Sequence, residues 1–211
     1  MPISNILLYA QLLQEQEGMP EQARKLVNEI ASQSGKLSFL IQALVKTSRL
    51  ETGIISVNPQ PSSVAELITT SVHAIKTKAD EKNITLNIKF NRNIETCFDL
   101  KWTEEAMINI LDNAVKYTPT GGTISISTTG YELFTRINIE DNGIGIEKGE
   151  VNRIFQRFYR SPKVSRYEGV GIGLYLAREI ITAGGGYIKV ASEPGKGSVF
   201  WVFLPNSKEK T

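Results

Sequence analysis

Asp141-Asn-Gly143-Ile-Gly145-Ile146 sets one carboxylate beside two residues without side chains, directly after a run that alternates like a strand. A carboxylate held there can accept a hydrogen bond from an exocyclic amine such as adenine N6, and the glycines allow close backbone approach. The same run also makes an ordinary turn after a strand, so alone it leaves both readings open. Earlier in the chain Asn109 and Asn113 stand one helical turn apart on a common face, followed by Lys116 and Tyr117. Asn is a mediocre helix former, so two on one face invite a reason. Amide oxygens are hard ligands that suit Mg2+, which is usually bound together with substrate phosphates. Lys116 can then meet a phosphate as a point charge, and Tyr117 can lie along an adenine face; an exposed polar helix face is the plain alternative. Gly169-Val-Gly171-Ile-Gly173-Leu174 alternates glycine ahead of a helix start, which suits a loop wrapping phosphates with backbone N–H groups. The spacing is not G-x-G-x-x-G and no G-x-x-x-x-G-K-[ST] occurs, which excludes the dinucleotide-binding and P-loop readings.

These groups need elements to hold them. Ser63-Val-Ala-Glu66 is a capping-box start for a helix to about Asp80, and Ile84 to Phe90 alternates strictly as a strand. A helix over roughly Trp102 to Lys116 carries the two asparagines. Gly121-Gly122 then turns into strands over Thr123 to Thr129 and about Leu133 to Glu140, the second of which delivers Asp141. A helix over about Gly171 to Thr182, a glycine turn at 184–186 and strands around Tyr187 to Ala191 and Ser198 to Leu204 complete the pattern. Helices on one side of a mixed, mostly antiparallel sheet make an α+β fold, a two-layer α/β sandwich.

An antiparallel helical hairpin precedes it. Ile3, Ile6, Leu7, Ala10 and Leu13 mark one helical face that stops at Gly18-Met19-Pro20, and Pro20 suits the opening of a second helix. Leu26, Ile30, Leu37, Ile41 and Leu44 follow as a heptad-like seam that ends near Gly53. Two helices with one apolar seam cannot bury it alone, so it is expected either to pack on its own domain or to form half of a four-helix dimer. The expected organisation is a hairpin over 1–53, a proline-containing linker over 54–61 and a second domain over 62–211.

The 211 residues are 41% hydrophobic and 22% charged, which disfavours a disordered tail, a collagen-like fibre or a disulfide scaffold. A net charge of +2 gives no ground for a nucleic-acid or anionic-membrane partner. Cys97 is single and fits a reducing cytosol. The chain has neither a run of about 18 apolar residues nor a signal-peptide pattern, so as given it is expected neither to span a membrane nor to be exported.

Taken together, the motifs resemble those of sensor histidine kinases of two-component systems. Asn109-Ile-Leu-Asp-Asn113-Ala-Val-Lys116-Tyr117-Thr-Pro looks like their N box and Asp141-Asn-Gly-Ile-Gly145 like their first glycine box. Phe155-Gln-Arg-Phe158-Tyr159-Arg160 resembles their F box, Gly169-Val-Gly-Ile-Gly173-Leu their second glycine box, and Gly195-Lys-Gly197-Ser-Val-Phe their ending. The resemblance covers residues 99–204 and implies the ATP-binding fold shared with type II topoisomerases, heat-shock protein 90 chaperones and mismatch-repair ATPases. It implies that Asp141 recognises the adenine amine while Gly143, Gly145 and Ile146 shape its surroundings. Asn113, with Asn109, would hold Mg2+; Lys116 would contact phosphate and Tyr117 the adenine. Gly169, Gly171, Gly173 and Leu174 would form a lid over ATP, Arg160 would reach a phosphate, and Phe155 and Phe158 would anchor lid and core. Hydrolysing members of the wider group typically carry a glutamate where Asn109 stands, and an amide cannot take a proton from water. The implied reaction is transfer of the γ-phosphate to a histidine and thence to an aspartate of a response regulator receiver domain.

His73 is the single histidine and lies in the helix after the linker. In the family the phosphoacceptor sits in the first hairpin helix, in a motif ending Thr-Pro; here Pro2-Ile-Ser-Asn-Ile looks like the residues after that motif's proline. The acceptor is therefore expected upstream of Met1, the chain to bind ATP without phosphorylating itself, and the intact protein to be a homodimer through the hairpin, anchored in the membrane with this part cytoplasmic. An ATPase or serine kinase of the same fold, and a degenerate dimerising regulator, are the competing expectations.

Overall fold

The computed structural model describes every residue except Met1, Glu17, Ile54, Ile55, Arg92, Asn93, Ser165, Arg166, Glu168 and 207–211, and of Pro2 and Leu50 the backbone only. Met1 and the first two residues of the expected linker thus lie outside the described residues. The chain divides into two compact units, Met1–Ile55 and Ser56–Thr211.

The first unit is a pair of helices, α1 (Pro2–Gln14) and α2 (Glu21–Glu51). The Pro20 carbonyl accepts the Arg24 N–H at 3.0 Å and opens α2, and Gly53 follows it with φ of 69°. Ala10 of α1 and Val27 of α2 are buried where the two helices run side by side; further along α2, Ala43 and Thr47 are buried too, and the Thr47 hydroxyl donates to the Ala43 carbonyl at 2.8 Å. The heptad-like seam is not this contact. Leu26, Ile30, Leu37, Ile41 and Leu44 are 66, 51, 47, 40 and 37% exposed, as are Ile6 and Leu13 of α1 at 44 and 43%. The bulkier rows of both helices thus stay on the surface.

The second unit holds a five-stranded sheet, ordered β2-β4-β5-β7-β6, made of β2 (Thr85–Lys89), β4 (Thr123–Gly130), β5 (Phe134–Asp141), β6 (Tyr187–Glu193) and β7 (Gly197–Pro205). Only β2 and β4 run parallel; the other neighbours are antiparallel, with Ile139 opposite both Ile126 and Phe200. Helices α3 (Val64–Glu81), α4 (Leu100–Tyr117) and α5 (Gly173–Ala183) supply the second layer. Ile124, Ile126, Ile137, Ile139 and Val202 of the sheet and Leu67, Ile110, Leu111 and Ile180 of the helices are at most 1% exposed. Burial of each such side chain stabilises the layer contact by about 1.5–3 kcal/mol. This is the expected two-layer α/β sandwich, preceded in the chain by a helical hairpin.

The cap expected at Ser63 is present, and Asp99 supplies a second one that the sequence reading does not include. The Ser63 side chain accepts the Glu66 N–H at 3.3 Å at the start of α3, and Asp99 does the same for Trp102 at 3.2 Å at the start of α4. One pairing was not anticipated. Gln60–Ser63 forms strand β1, paired antiparallel with β3 (Glu95–Phe98), so part of the stretch read as linker is sheet. Pro61 is compatible with that ribbon because an edge position needs no N–H donor there. Cys97, half-buried on β3, is a free thiol. Among the described residues no helix is long and apolar enough to cross a membrane.

Candidate functional site

Asp141 ends β5 opposite Ser198 of β7 and is 6% exposed. Its Oδ1 accepts the Gly143 N–H at 2.9 Å, and its carboxylate also accepts the Ser198 N–H. Burial pushes the carboxyl above its ordinary pKa, and the two N–H donors offset part of that rise. A buried carboxylate with two lone pairs committed has capacity for a further donor, which is what an exocyclic amine supplies.

The loop after Asp141 is seated by backbone contacts. Ile144 N–H donates to the Tyr117 carbonyl at 3.2 Å, the Ile144 carbonyl accepts Gly195 N–H at 2.8 Å, and Ile146 N–H donates to Ser192 Oγ at 2.8 Å. A Cβ on Gly143 would lie 2.6 Å from the Tyr117 carbonyl oxygen and 2.7 Å from Asp141 Oδ1. Gly145 has φ of 70°, and a Cβ there would strike the Glu193 carbonyl. Both glycines therefore let protein backbone close on protein backbone, beneath the end of α4 and against the β6–β7 turn.

Asn109 and Asn113 share one face of α4, as their spacing requires. Asn109 Nδ2 donates to the Glu105 carbonyl at 2.9 Å and Asn113 Nδ2 to the Asn109 carbonyl at 2.8 Å. With the amide nitrogens committed to the helix, the oxygens are the groups suited to a hard cation. Lys116 Nζ lies 4.8 Å from the Tyr117 ring centroid, and Tyr117 meets Tyr167 edge-on at 5.3 Å. Burial raises the Tyr117 hydroxyl pKa, with Arg160 opposing.

The glycine-rich loop closes directly on this face. A Cβ on Gly169 would lie 2.6 Å from Lys116 Nζ, and one on Gly173 would lie 2.8 Å from Asn109 Oδ1. Gly171, at φ of 78°, packs on the Tyr159 carbonyl. Ile172 is buried and Leu174 half-buried at the start of α5. The fold thus brings Gly169 and Gly173 against Lys116 and Asn109 on one face of α4, with the Tyr117 carbonyl leading from it to the Asp141 loop.

Arg160 and the two phenylalanines are held as follows. Arg160 Nη2 donates to the carbonyls of Val164 and Tyr167, so its guanidinium ties together the backbone at these two residues. Phe155 is buried and meets Phe200 edge-on, whereas Phe158 is 47% exposed on a backbone with φ of 63°, so only the first anchors the core. His73 is exposed on α3. Ser192 and Ser198 were not picked out from sequence. They face each other across β6 and β7, and the Ser192 hydroxyl bridges Ile146 N–H, the Gly197 carbonyl and Ser198 Oγ. Among the described residues no group of three His, Cys, Asp or Glu side chains forms a cation site.

Residues 98–208 match the family described as histidine kinase-, DNA gyrase B-, and HSP90-like ATPase. The sensor protein SrrB of Staphylococcus aureus is 27% identical over 188 residues, which is 88% of this chain and 32% of SrrB. The chain therefore spans about a third of the length of the curated relatives it matches. Full-length ShkA in complex with AMPPNP superposes with a TM-score of 0.80 at 23% identity, over 98% of this chain and 44% of ShkA. The Acinetobacter baumannii histidine kinase AdeS superposes at 0.72 and 19% identity, over 98% and 96% of the two chains. Histidine kinase ThkA in complex with response regulator protein TrrA superposes at 0.73 and 21%, over all of this chain and 59% of the other.

Proposed function

Because the chain belongs to the family of histidine kinase-, DNA gyrase B-, and HSP90-like ATPases, we propose that it is the ATP-binding catalytic part of a sensor histidine kinase, with the site just described as its nucleotide site. The observation that carries this reading is Asp141, a buried carboxylate held by two backbone N–H groups on the loop that bonds to the end of α4, the helix that carries Asn109 and Lys116. Asp141 accepts the adenine amine, and Tyr117 lies along the base. Lys116 and the backbone N–H groups from Gly169 to Gly173, at the start of α5, meet the phosphates. Mg2+ fits the amide oxygens of Asn113 and Asn109 together with phosphate oxygens, since such ions take few protein ligands, and when bound it neutralises phosphate charge.

The reaction proposed is in-line transfer: an imidazole nitrogen bonds to the γ-phosphorus as the bond to the β,γ-bridging oxygen breaks and ADP leaves. Such transfer depends on positioning and charge neutralisation. Asn109 has no basic atom to take a proton from water, which favours holding ATP for an acceptor over hydrolysing it. No histidine occurs in the hairpin of these 211 residues and His73 is exposed on α3, so this chain alone is proposed to bind ATP without forming phosphohistidine. In the intact protein the proposed partners are a response regulator receiver domain, a reading supported by the complex of ThkA with response regulator protein TrrA, and a second copy covering the exposed rows of Leu26, Ile30 and Leu37. The cytoplasmic face of a membrane-anchored protein is the proposed location. Calorimetric titration with ATP and with ADP, each with Mg2+, tests the nucleotide site: saturable binding is expected, and the absence of heat up to millimolar nucleotide refutes it.

A further inference from the structure

The ammonium of Lys82, the residue that follows α3, donates to three backbone carbonyls at the C-terminal end of α4: Val115 at 2.7 Å, Lys116 at 3.1 Å and Thr118. Carbonyls at a helix end have no intrahelical partner, and the negative end of the helix dipole lies among them, so a cation is favoured there on both counts. The backbone of Lys82 is fixed independently. Its N–H donates to the Ala79 carbonyl at 3.2 Å, and its carbonyl accepts the Gly121 N–H at 2.9 Å. One residue at the corner between α3 and β2 therefore clamps both ends of the turn that joins α4 to β4.

Both halves of the candidate site hang from that turn. Lys116 and Tyr117 project from the helical turn whose carbonyls Lys82 holds. The carbonyl between its partners, that of Tyr117, accepts the Ile144 N–H and lies within contact distance of Gly143. From there the chain runs back to Asp141, whose Oδ1 is bonded to Gly143. Lys82 spends its donors on main-chain oxygens and touches none of the groups assigned to ligand. It can reach the site only through Lys116, Tyr117 and the Asp141 loop. The other end of α4 is capped by Asp99 and its apolar face is buried by Ile110 and Leu111, so the helix has other reasons to form.

We infer that Lys82 is a positioning residue for the nucleotide site, setting the end of α4 at the depth where Lys116 and Tyr117 face phosphate and base while the Tyr117 carbonyl holds the Asp141 loop. The inference rests on the nucleotide reading above. It is tested with the full chain by titrating ADP with Mg2+ into the wild type, Lys82→Met and Lys82→Arg, well below each melting temperature, and by comparing the amide resonances of Gly143 and Ile144. Lys82→Met removes charge-assisted bonds and is expected to weaken ADP about tenfold, with both resonances shifted. Lys82→Arg keeps a cation with several N–H donors and is expected to recover most of that affinity. If Lys82→Met melts earlier yet binds ADP within about twofold of wild type, the residue is structural only and the inference is overturned. Should the methionine variant not fold, Lys82→Gln, which loses the charge but keeps two N–H donors, carries the same expectation and the same refutation. A wild-type chain that binds no nucleotide overturns the site reading itself, a result distinct from unchanged affinity in the variants.

Discussion

Replacing Asp141 with Asn separates recognition from folding. In the native chain the carboxylate serves two backbone N–H donors, from Gly143 and Ser198, and is proposed to serve a third, the adenine amine. Asn offers one acceptor oxygen and an NH2 group in nearly the same volume, so three donors compete for one oxygen and the amide nitrogen opposes at least one of them. Loss of a hydrogen bond to a charged acceptor corresponds to about 1.5–3 kcal/mol, hence a dissociation constant raised about 10- to 150-fold for ATP and ADP alike. Stability should move much less. A donor left without its partner costs about 1–3 kcal/mol, but the substitution also removes a charge whose burial disfavours the native state. The sign follows from the raised pKa. The folded chain holds the Asp141 proton more tightly than the unfolded chain does, so this group's contribution to stability grows as pH falls from the raised value toward the ordinary aspartate value, and is lost as pH rises through the raised value. Nucleotide affinity of the wild type runs the other way, declining on acidification before exposed carboxylates titrate. Calorimetric titration at neutral and mildly acidic pH, paired with thermal melts, reads both quantities. A folded Asp141→Asn chain that binds ADP within about threefold of wild type would refute the assignment.

Gly145→Ala tests the backbone role of the glycine box: φ of 70° and a collision with the Glu193 carbonyl should cost about 2 kcal/mol or more, seen as a melting temperature lowered by several degrees. An unchanged melt would show that the loop relaxes. Incubation with γ-labelled ATP should leave no acid-labile, base-stable phosphate on the chain, and label mapped to His73 would overturn that expectation. Ile30→Glu, placed in the exposed row of α2, should shift any concentration-dependent dimer toward monomer in light scattering while leaving ADP binding unchanged; an undiminished dimer would move the interface elsewhere.

Periodicity and capping were readable because they are local. The 3.6-residue repeat alone places Asn109 and Asn113 on one face, and the Ser63 and Asp99 side chains reach N–H groups three residues on whatever the rest of the chain does. Strict alternation likewise assigns Ile137 and Ile139 to the covered face and Asn138 to the other. Contacts between distant segments are different. Nothing near Gln60 announces that it will pair with Phe98, nothing near Leu26 says that Val27 will be buried while Leu26 stays on the surface, and nothing around Lys82 marks it as the cap of a helix that ends more than thirty residues later. The glycines make the distinction sharpest. Composition and order identify them as places for close approach, but which atoms approach is a matter of how three segments converge: Gly143 on the Tyr117 carbonyl, Gly145 on Glu193, Gly173 on Asn109. Residue types and spacing thus specify the kinds of group available and the face each occupies. Which groups share a site depends on packing, because only the buried layer contact brings α4, the end of β5 and the loop before α5 together.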